Sequence, residues 1–381
     1  MKKKTLLIVV NVDWFFKSHR LLIAQFAKQN GYNVHLAMNF TNYQDYFKSL
    51  GFKTHELKMV RNKINLLSLL SDFYELLCLF NKIKPDVIHL VTLKPVLVGG
   101  IASKLVGINS ALIAISGLGW FSDSKRSSFS VKHHIASLMY KLAVNRDRIC
   151  VVVQNKSDEE VIRDTTNLNK RSFLMLYGSG VDLKLYSRIE EQNSHKNVLL
   201  ISRMLKDKGV FEFVEASRIL KTKLKDVEFI LVGSPDIYNP NSISSTQLKS
   251  WHDSGVIKWL GHRDDIHTLI ANSNIVVLPS YYGEGMPKVL LEAAASGRAV
   301  ITTDWPGCNE AVVDDVTGLL VPIKNPILLA VSIFNLINDD KKRKKIGINA
   351  RKRAEKLFSV EKVAEIHLAA YEKLVPNDQY I

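Results

Sequence analysis

Two successive series of short apolar runs, separated by longer amphipathic stretches, restrict the fold of this chain more than any other feature. The first series runs Thr5–Val10, Asn33–Ala37, Val87–Leu90, Ala111–Ile115 and Ile149–Val153, with helical stretches such as Leu66–Phe80 and Val131–Ala143 between them. The second runs Asn197–Ile201, Val227–Val232, Val256–Trp259, Ile275–Leu278, Ala299–Thr302 and Thr317–Leu320. Strands that alternate with helices form parallel sheets covered on both faces. Two series predict an α/β protein of two doubly wound, Rossmann-like domains facing across a cleft, with ligands beyond the carboxyl ends of the strands. The length of 381 residues suits two domains. The polar stretch Glu190 to Lys196 reads as the linker, so the expected division is 1–188, 189–358 and a C-terminal helix over 359–381 that returns to the first domain.

Composition narrows the class. The three leading lysines and the run Leu6–Val10 resemble the start of a signal peptide, but Asp13 interrupts the run with no small-residue cleavage site. A buried first strand is the better reading. No run approaches the roughly 20 apolar residues of a membrane span. Cys78, Cys150 and Cys308 are odd in number and far apart, which suits a reducing cytoplasm and neither a disulfide framework nor a metal set. Charge is uneven: through Arg188 there are 27 Lys and Arg against 13 Asp and Glu, and from Ile189 onward 25 against 24. A basic first half suggests an anionic partner on that side, whether a phosphorylated acceptor, an anionic membrane surface or a nucleic acid. The basic residues are scattered rather than set in a recognition motif, which argues against nucleic acid. The run Lys341–Lys345 reads as a solvated helix face.

The chemistry concentrates at Glu284-Gly285-Met286-Pro287-Lys288-Val289-Leu290-Leu291-Glu292. Pro287 suits a first helical position. That leaves Glu284 in a loop and Glu292 about one and a half turns into the helix. A helix start offers N–H groups to an anion such as a diphosphate, and a carboxylate beside it needs neutral partners such as hydroxyls. Phosphates with hydroxyls describe a sugar nucleotide. The strand Asn197–Ile201 runs into Ser202-Arg203-Met204-Leu205-Lys206-Asp207-Lys208-Gly209, where Arg203 can grip a phosphate bidentately and Lys208 can add a point charge. Gly261-His262-Arg263 suits contacts to a flat base, and Asp304-Trp305-Pro306-Gly307-Cys308-Asn309-Glu310 could close the same rim.

The Glu–seven–Glu segment, the Arg203/Lys208 turn and Gly178-Ser179-Gly180-Val181-Asp182, in this order, resemble family 4 of the retaining glycosyltransferases, which have the GT-B fold. The resemblance spans the chain and is strongest from Gly178 to Pro322. It implies that Glu284 contacts hydroxyls of the donor sugar and Glu292 the ribose. It implies that Arg203 and Lys208 neutralise the diphosphate, and that Gly285, Met286, Pro287 and Lys288 touch sugar and phosphates; Arg263 joins the donor side from its place in the 261–263 turn. The stretches Val12-Asp13-Trp14-Phe15-Phe16-Lys17-Ser18-His19-Arg20, Ser116-Gly117-Leu118-Gly119, Asn241-Ser242-Ile243-Ser244 and Leu278-Pro279-Ser280-Tyr281 are similar to bacterial transferases that extend undecaprenyl-diphosphate-linked sugars in O-antigen and related glycan assembly. A membrane-borne acceptor makes sense of the basic first half, and Trp14, Phe15, Phe16, Trp120 and Phe121 offer a seat for a prenyl chain. Two departures stand out. Asp13-Trp14-Phe15-Phe16 replaces the glycine-rich turn that many members carry after the first strand. The histidine that many carry after a later strand is replaced by Ser116 to Gly119. The acceptor-side candidates are therefore His19, Ser18, Gly117, Gly119 and His89.

The sequence has no Asp-x-Asp, so protein cations are expected to stabilise a departing UDP without a metal or other cofactor. The resemblance implies transfer of a hexose or N-acetylhexosamine, with GalNAc or GlcNAc favoured, from a UDP-sugar to a lipid-diphosphate-linked saccharide, with retention at the anomeric carbon. It places the protein at the inner face of the cytoplasmic membrane. Competing readings are a UDP-sugar epimerase or hydrolase on the same frame and a transferase with a soluble acceptor. A dinucleotide oxidoreductase is weak, because no Gly-x-Gly-x-x-Gly follows the first strand.

Overall fold

The computed structural model describes residues 3–60, 65–118, 131–191 and 196–375. The chain forms two units, residues 1–179 with 360–381 and residues 180–359. The change of unit falls between Ser179 and Gly180, ahead of the expected break at 188. The helix Val360–Leu374 belongs to the first unit, packing on the helix Leu21–Gln29.

The first unit is built on β1 (Thr5–Val12), β2 (Asn33–Asn39), β3 (Lys53–Glu56), β4 (Val87–Val91), β5 (Ser110–Ala114), β6 (Arg148–Val153) and β7 (Phe173–Met175). They form one sheet in the order β3-β2-β1-β4-β5-β6-β7, with every pairing parallel. Side chains along β1 alternate between two apolar clusters. Leu6, Ile8 and Val10 pack with Tyr371 and Leu374 of the returning helix, while Leu7 and Val9 pack with Leu76 and Phe80 of the helix Leu66–Ile83. Both faces are therefore dry, which is why β1 reads as continuous apolar sequence. The edge strands β3 and β7 escape that signal: β3 is Lys-Thr-His-Glu, exposed or half-buried, and β7 has three residues.

The second unit is built on β8 (Lys196–Ile201), β9 (Val227–Val232), β10 (Lys258–Trp259), β11 (Ile275–Leu278), β12 (Ala299–Thr303) and β13 (Leu319–Val321), in the order β10-β9-β8-β11-β12-β13, again all parallel. Strand order reverses between β8 and β11, which are hydrogen-bonded neighbours. Their carboxyl ends flank the crevice where such sheets take ligands.

Two polar stretches differ from expectation. Glu191, read as linker, has a buried side chain that accepts from Arg343 Nε at 2.9 Å, so this end of the stretch is fastened to the second unit. Arg343, read as part of a solvated basic face, is fully buried and also donates to the Leu336 carbonyl at 2.8 Å; its four lysine neighbours in 341–345 are exposed.

Candidate active site

In the second unit the sequence brings two loops together at the β8/β11 switch. After β8 the chain turns through Ser202 to Lys208, closes a single 3-10 turn over Lys206–Lys208 and enters the helix Val210–Lys221 at Gly209. Gly209 has φ +73°, and a Cβ there would lie 2.2 Å from the Pro279 carbonyl oxygen. Only glycine permits both that conformation and that approach. The second loop, Pro279 to Pro287, leads into the helix Lys288–Ala295. Pro287 is its cap rather than its first residue, one position earlier than expected.

The loops meet through Lys208 and Glu284, whose Nζ and Oε1 form a close ion pair with both side chains largely removed from water. Ser280, fully buried, sits behind it: Ser280 Oγ lies 3.0 Å from Glu284 Oε1 and 3.2 Å from the Asp207 carbonyl, and accepts the Tyr282 N–H at 3.3 Å. The Tyr281 N–H donates to the same Asp207 carbonyl at 2.9 Å. Tyr282 lies beside both cations, its ring centroid 5.2 Å from Lys208 Nζ and 5.8 Å from the Arg203 guanidinium carbon. Arg203 Nη1 donates to Asp236 Oδ2 at 2.8 Å, and the Asp236 N–H donates to Ser242 Oγ at 2.9 Å.

Glu292 is buried inside the helix it was placed on, and Lys288 reaches its carboxylate one turn away at 3.5 Å. The Tyr186 phenol lies near the same carboxylate; burial, then the charge of Glu292, push that phenol above its ordinary range. The 304–310 turn packs directly on this loop. Gly307 has φ +88°, and a Cβ there would lie 2.4 Å from the Gly285 carbonyl oxygen and 2.7 Å from that of Glu284. Cys308 is buried beneath, and burial with the nearby charge of Glu284 pushes its thiol up to about 12, so it stays protonated and inert. Arg263 is exposed, with its guanidinium forked onto Asp265 at 2.8 and 2.6 Å.

Glu284, Lys208 and Ser280 are thus in direct contact, Arg203 shares the Tyr282 ring with Lys208, and Gly285 to Lys288 continue from Glu284 to Glu292. Arg263 is engaged by Asp265 rather than by this group. Ser280, Asp236, Tyr282 and Tyr186 carry no role in the sequence reading. Ser280 stands in a stretch already singled out, but Tyr186 and Glu292 are too far apart in sequence for any local pattern to join them.

The acceptor-side candidates fall in the first unit. His89 is fully buried on β4, where its Nδ1 is 2.7 Å from the Tyr371 hydroxyl and its ring stacks with His367 at 5.6 Å. Burial, then His367 and Arg20, hold its imidazole well below the ordinary range. It belongs to the packing of the returning helix and is not an acceptor group. His19 lies at the end of the helix Asp13–His19, stacked on Phe15 at 4.2 Å with Nδ1 3.2 Å from the Phe15 carbonyl; Ser18 beside it is exposed. Gly117 follows β5 with φ +101°. Gly119, Trp120 and Phe121 lie outside the described residues. Phe16 is buried against Phe47 and belongs to the core, not to a prenyl seat. Asp13, at the place of the glycine-rich turn, ties down the 41–43 loop: its Oδ2 accepts the N–H groups of Thr41, Asn42 and Tyr43 at 2.7 to 3.0 Å, and its Oδ1 accepts the Thr41 hydroxyl at 2.7 Å. Burial opposes ionisation, but these bonds hold the carboxyl below its ordinary range.

Two parallel α/β units, with cations and carboxylates gathered at the switch point of the second, define a GT-B glycosyltransferase. Residues 185–353 match the family model of glycosyl transferases group 1, and residues 5–155 match that of the glycosyl transferase 4-like domain; the chain belongs to this glycosyltransferase family. It is 29% identical over 371 residues to the N,N'-diacetylbacillosaminyl-diphospho-undecaprenol alpha-1,3-N-acetylgalactosaminyltransferase of Campylobacter jejuni, covering 94% of this chain and 96% of that one. It is 24% identical over 330 residues to the UDP-Gal:alpha-D-GlcNAc-diphosphoundecaprenol alpha-1,3-galactosyltransferase of Escherichia coli, covering 82% of each. The crystal structure of Anabaena HepE in complex with UDP superposes with a TM-score of 0.77 at 19% identity, over 97% of this chain and 99% of that one. Among the described residues no helix is long and apolar enough to cross a membrane.

Proposed function

We propose that the protein transfers an N-acetylhexosamine or hexose, with GalNAc or GlcNAc favoured, from a UDP-sugar to a polyprenyl-diphosphate-linked saccharide, with retention at the anomeric carbon and without a metal. The observation that carries this reading is the Lys208–Glu284 pair at the β8/β11 switch, with Arg203 on the adjoining strand end. Burying an ion pair costs desolvation that packing alone does not require. A pair kept where parallel sheets bind ligands is a poised binding group. The undecaprenyl-diphosphate acceptors in the names of the Campylobacter and Escherichia relatives supply the acceptor class.

In this proposal Glu284 receives hydroxyls of the donor sugar, and Glu292 receives those of the ribose, displacing Tyr186 or Lys288. Arg203 and Lys208 face the diphosphate, and Arg203 leaves Asp236 to do so. The acceptor oxygen bonds to the anomeric carbon as the bond from that carbon to the β-phosphate oxygen breaks. UDP departs with the electron pair, and its oxygen takes the acceptor proton on the same face. Lys208, Arg203 and the positive end of the helix Lys288–Ala295 stabilise the charge that grows on that phosphate. The basic first unit meets the anionic membrane surface that holds the acceptor.

The test incubates the purified protein, with chelator present, with a panel of UDP-sugars and a synthetic polyprenyl-diphosphate-linked GalNAc or GlcNAc, and follows the lipid product by mass spectrometry and anomeric NMR. A gain of one sugar in an α-linkage, lost in folded Glu284→Ala, is expected. Turnover only with a soluble acceptor, or hydrolysis or epimerisation without any acceptor, would overturn the acceptor; an inverted anomer would overturn the mechanism.

A further inference from the structure

The helix Leu66–Ile83 turns the wrong kind of surface to solvent. Its inner side chains Leu76 and Phe80 fill the core, as an amphipathic helix should. Its outer side carries Leu66, Leu67, Leu70 and Tyr74, which are 73, 79, 56 and 69% exposed, with exposed Ser71 and Cys78 among them. No exposed charge appears on the first three turns: Asp72 points inward to a buried pair with Lys94 at 2.8 Å, and Glu75 is half-buried beneath the Lys58 N–H. A helix that is apolar all round belongs in a core or against lipid. The neighbouring helix Val131–Val144 repeats the pattern with exposed Ile135, Leu138 and Leu142, and Leu105 stands exposed at the end of the helical segment 95–105 that both helices pack against. Val60 joins this face: Lys94 ties its carbonyl, at 2.8 Å, to Ser68 in the first turn of the helix.

Charge selects the occupant. Among the described side chains of these two helices, every exposed charged residue is a lysine, Lys82 and Lys141, and exposed Lys84 caps the first helix. A second copy of the chain docking by a two-fold axis would set this lysine-bearing face against itself. Anionic lipid headgroups complement it, leucines suit the acyl boundary, and tyrosine suits the headgroup level.

We propose that this face of the first unit is the membrane-docking surface, with Leu66, Leu67, Leu70, Tyr74, Leu138 and Leu142 entering the headgroup–acyl boundary of an anionic leaflet. The proposal rests on the lipid-linked acceptor of the preceding section and names the surface that meets the lipid. It replaces the buried Phe16 expected from the sequence with residues on two other helices.

The full chain is floated with vesicles of phosphatidylcholine alone and of phosphatidylcholine with phosphatidylglycerol. Binding to the anionic vesicles is expected. Leu67→Ser/Leu70→Ser/Tyr74→Ser should weaken the partition coefficient by about tenfold or more, while its melting and its turnover of a short-chain, water-soluble polyprenyl-diphosphate acceptor stay at the wild-type values. Lys82→Glu/Lys141→Glu should weaken binding to the anionic vesicles only. Unchanged binding of the triple variant overturns the surface, as does a wild-type dimer in ultracentrifugation that the triple variant dissociates while neither protein binds vesicles. Vesicle binding that depends on these residues, in a protein that elongates no acceptor, keeps the surface and overturns the function instead.

Discussion

Removing Lys208 tests whether the ion pair is there for binding chemistry or for stability. In Lys208→Met the carboxylate of Glu284 keeps Ser280 but loses its cation in a setting with little water. Breaking a buried pair by deleting one partner costs roughly 3–5 kcal/mol, and residual access to solvent at Glu284 puts this case near about 3 kcal/mol. For a unit of this size that is a fall in Tm of about 6–12 °C. Glu284→Gln strands the Lys208 ammonium and should cost a similar amount. The double variant leaves no unpaired charge, so its loss should fall short of the sum by about 2 kcal/mol. Activity should behave differently. Each single variant should lose about 10²–10³-fold in kcat/KM, as when one donor to a developing anion is deleted, and the double variant, although less destabilised than the sum of the two, should recover no turnover. Denaturant melts and steady-state kinetics on all four proteins close the cycle. Losses of activity that merely track the unfolded fraction, or a double variant that regains turnover, would show the pair to be structural and would falsify the assignment.

Other variants probe the surrounding frame. Tyr186→Phe removes the buried hydroxyl beside Glu292 and should raise the donor KM with little change in kcat; an unchanged KM would show that the hydroxyl does not position Glu292. Gly209→Ala puts a Cβ against the Pro279 carbonyl at positive φ and should destabilise the second unit by at least about 2 kcal/mol; a wild-type melt contradicts the close approach of the two loops. Burial holds His367 down to about 3 and His89 well below its ordinary range, so below pH ~6.5 the unfolded chain takes up protons that the folded one refuses, and stability falls as pH falls. At pH ~5.5 the two together should cost about 3 kcal/mol relative to pH 7.5, and a His89→Gln/His367→Gln protein should show a flatter profile; parallel profiles for the two proteins count against buried neutral imidazoles.

The fold was legible because parallel strands buried on both faces cannot hide. Val227–Val232 and Ile275–Leu278 have the bounds read from the chain, since every side chain along them but Glu228 is buried. Edge strands obey another rule. Lys53–Glu56 pairs on one side only and keeps polar side chains in water, so its sequence looks like loop. The boundary between units was misplaced for a related reason. Glu190 to Lys196 is polar as linkers are, but Glu191 is polar because Arg343, more than 150 residues later, needs a buried counter-charge. Polarity marks solvent or a partner, and a single sequence does not say which.

The same ambiguity separates the part of the site that was readable from the part that was not. Glu284 and Glu292 share one loop and helix, and Arg203 and Lys208 share one turn, so their spacing carried the chemistry, and the β8/β11 pairing joined the two segments. Contacts across elements have no such signature. Asp236 stands opposite Arg203 from beyond β9, and Tyr186 reaches Glu292 from the segment before β8. His89 shows the reverse failure. A histidine near the end of a strand in a doubly wound unit is where a cleft residue is expected, yet Tyr371 and His367 arrive from the far end of the chain to cover it. The helix that hides His89 packs against the opposite sheet face from the helix whose leucines stand exposed. Leu66–Phe80 read as an ordinary amphipathic helical stretch, and His89 as an acceptor-side candidate: composition records what a side chain prefers, and only the fold records whether it receives it.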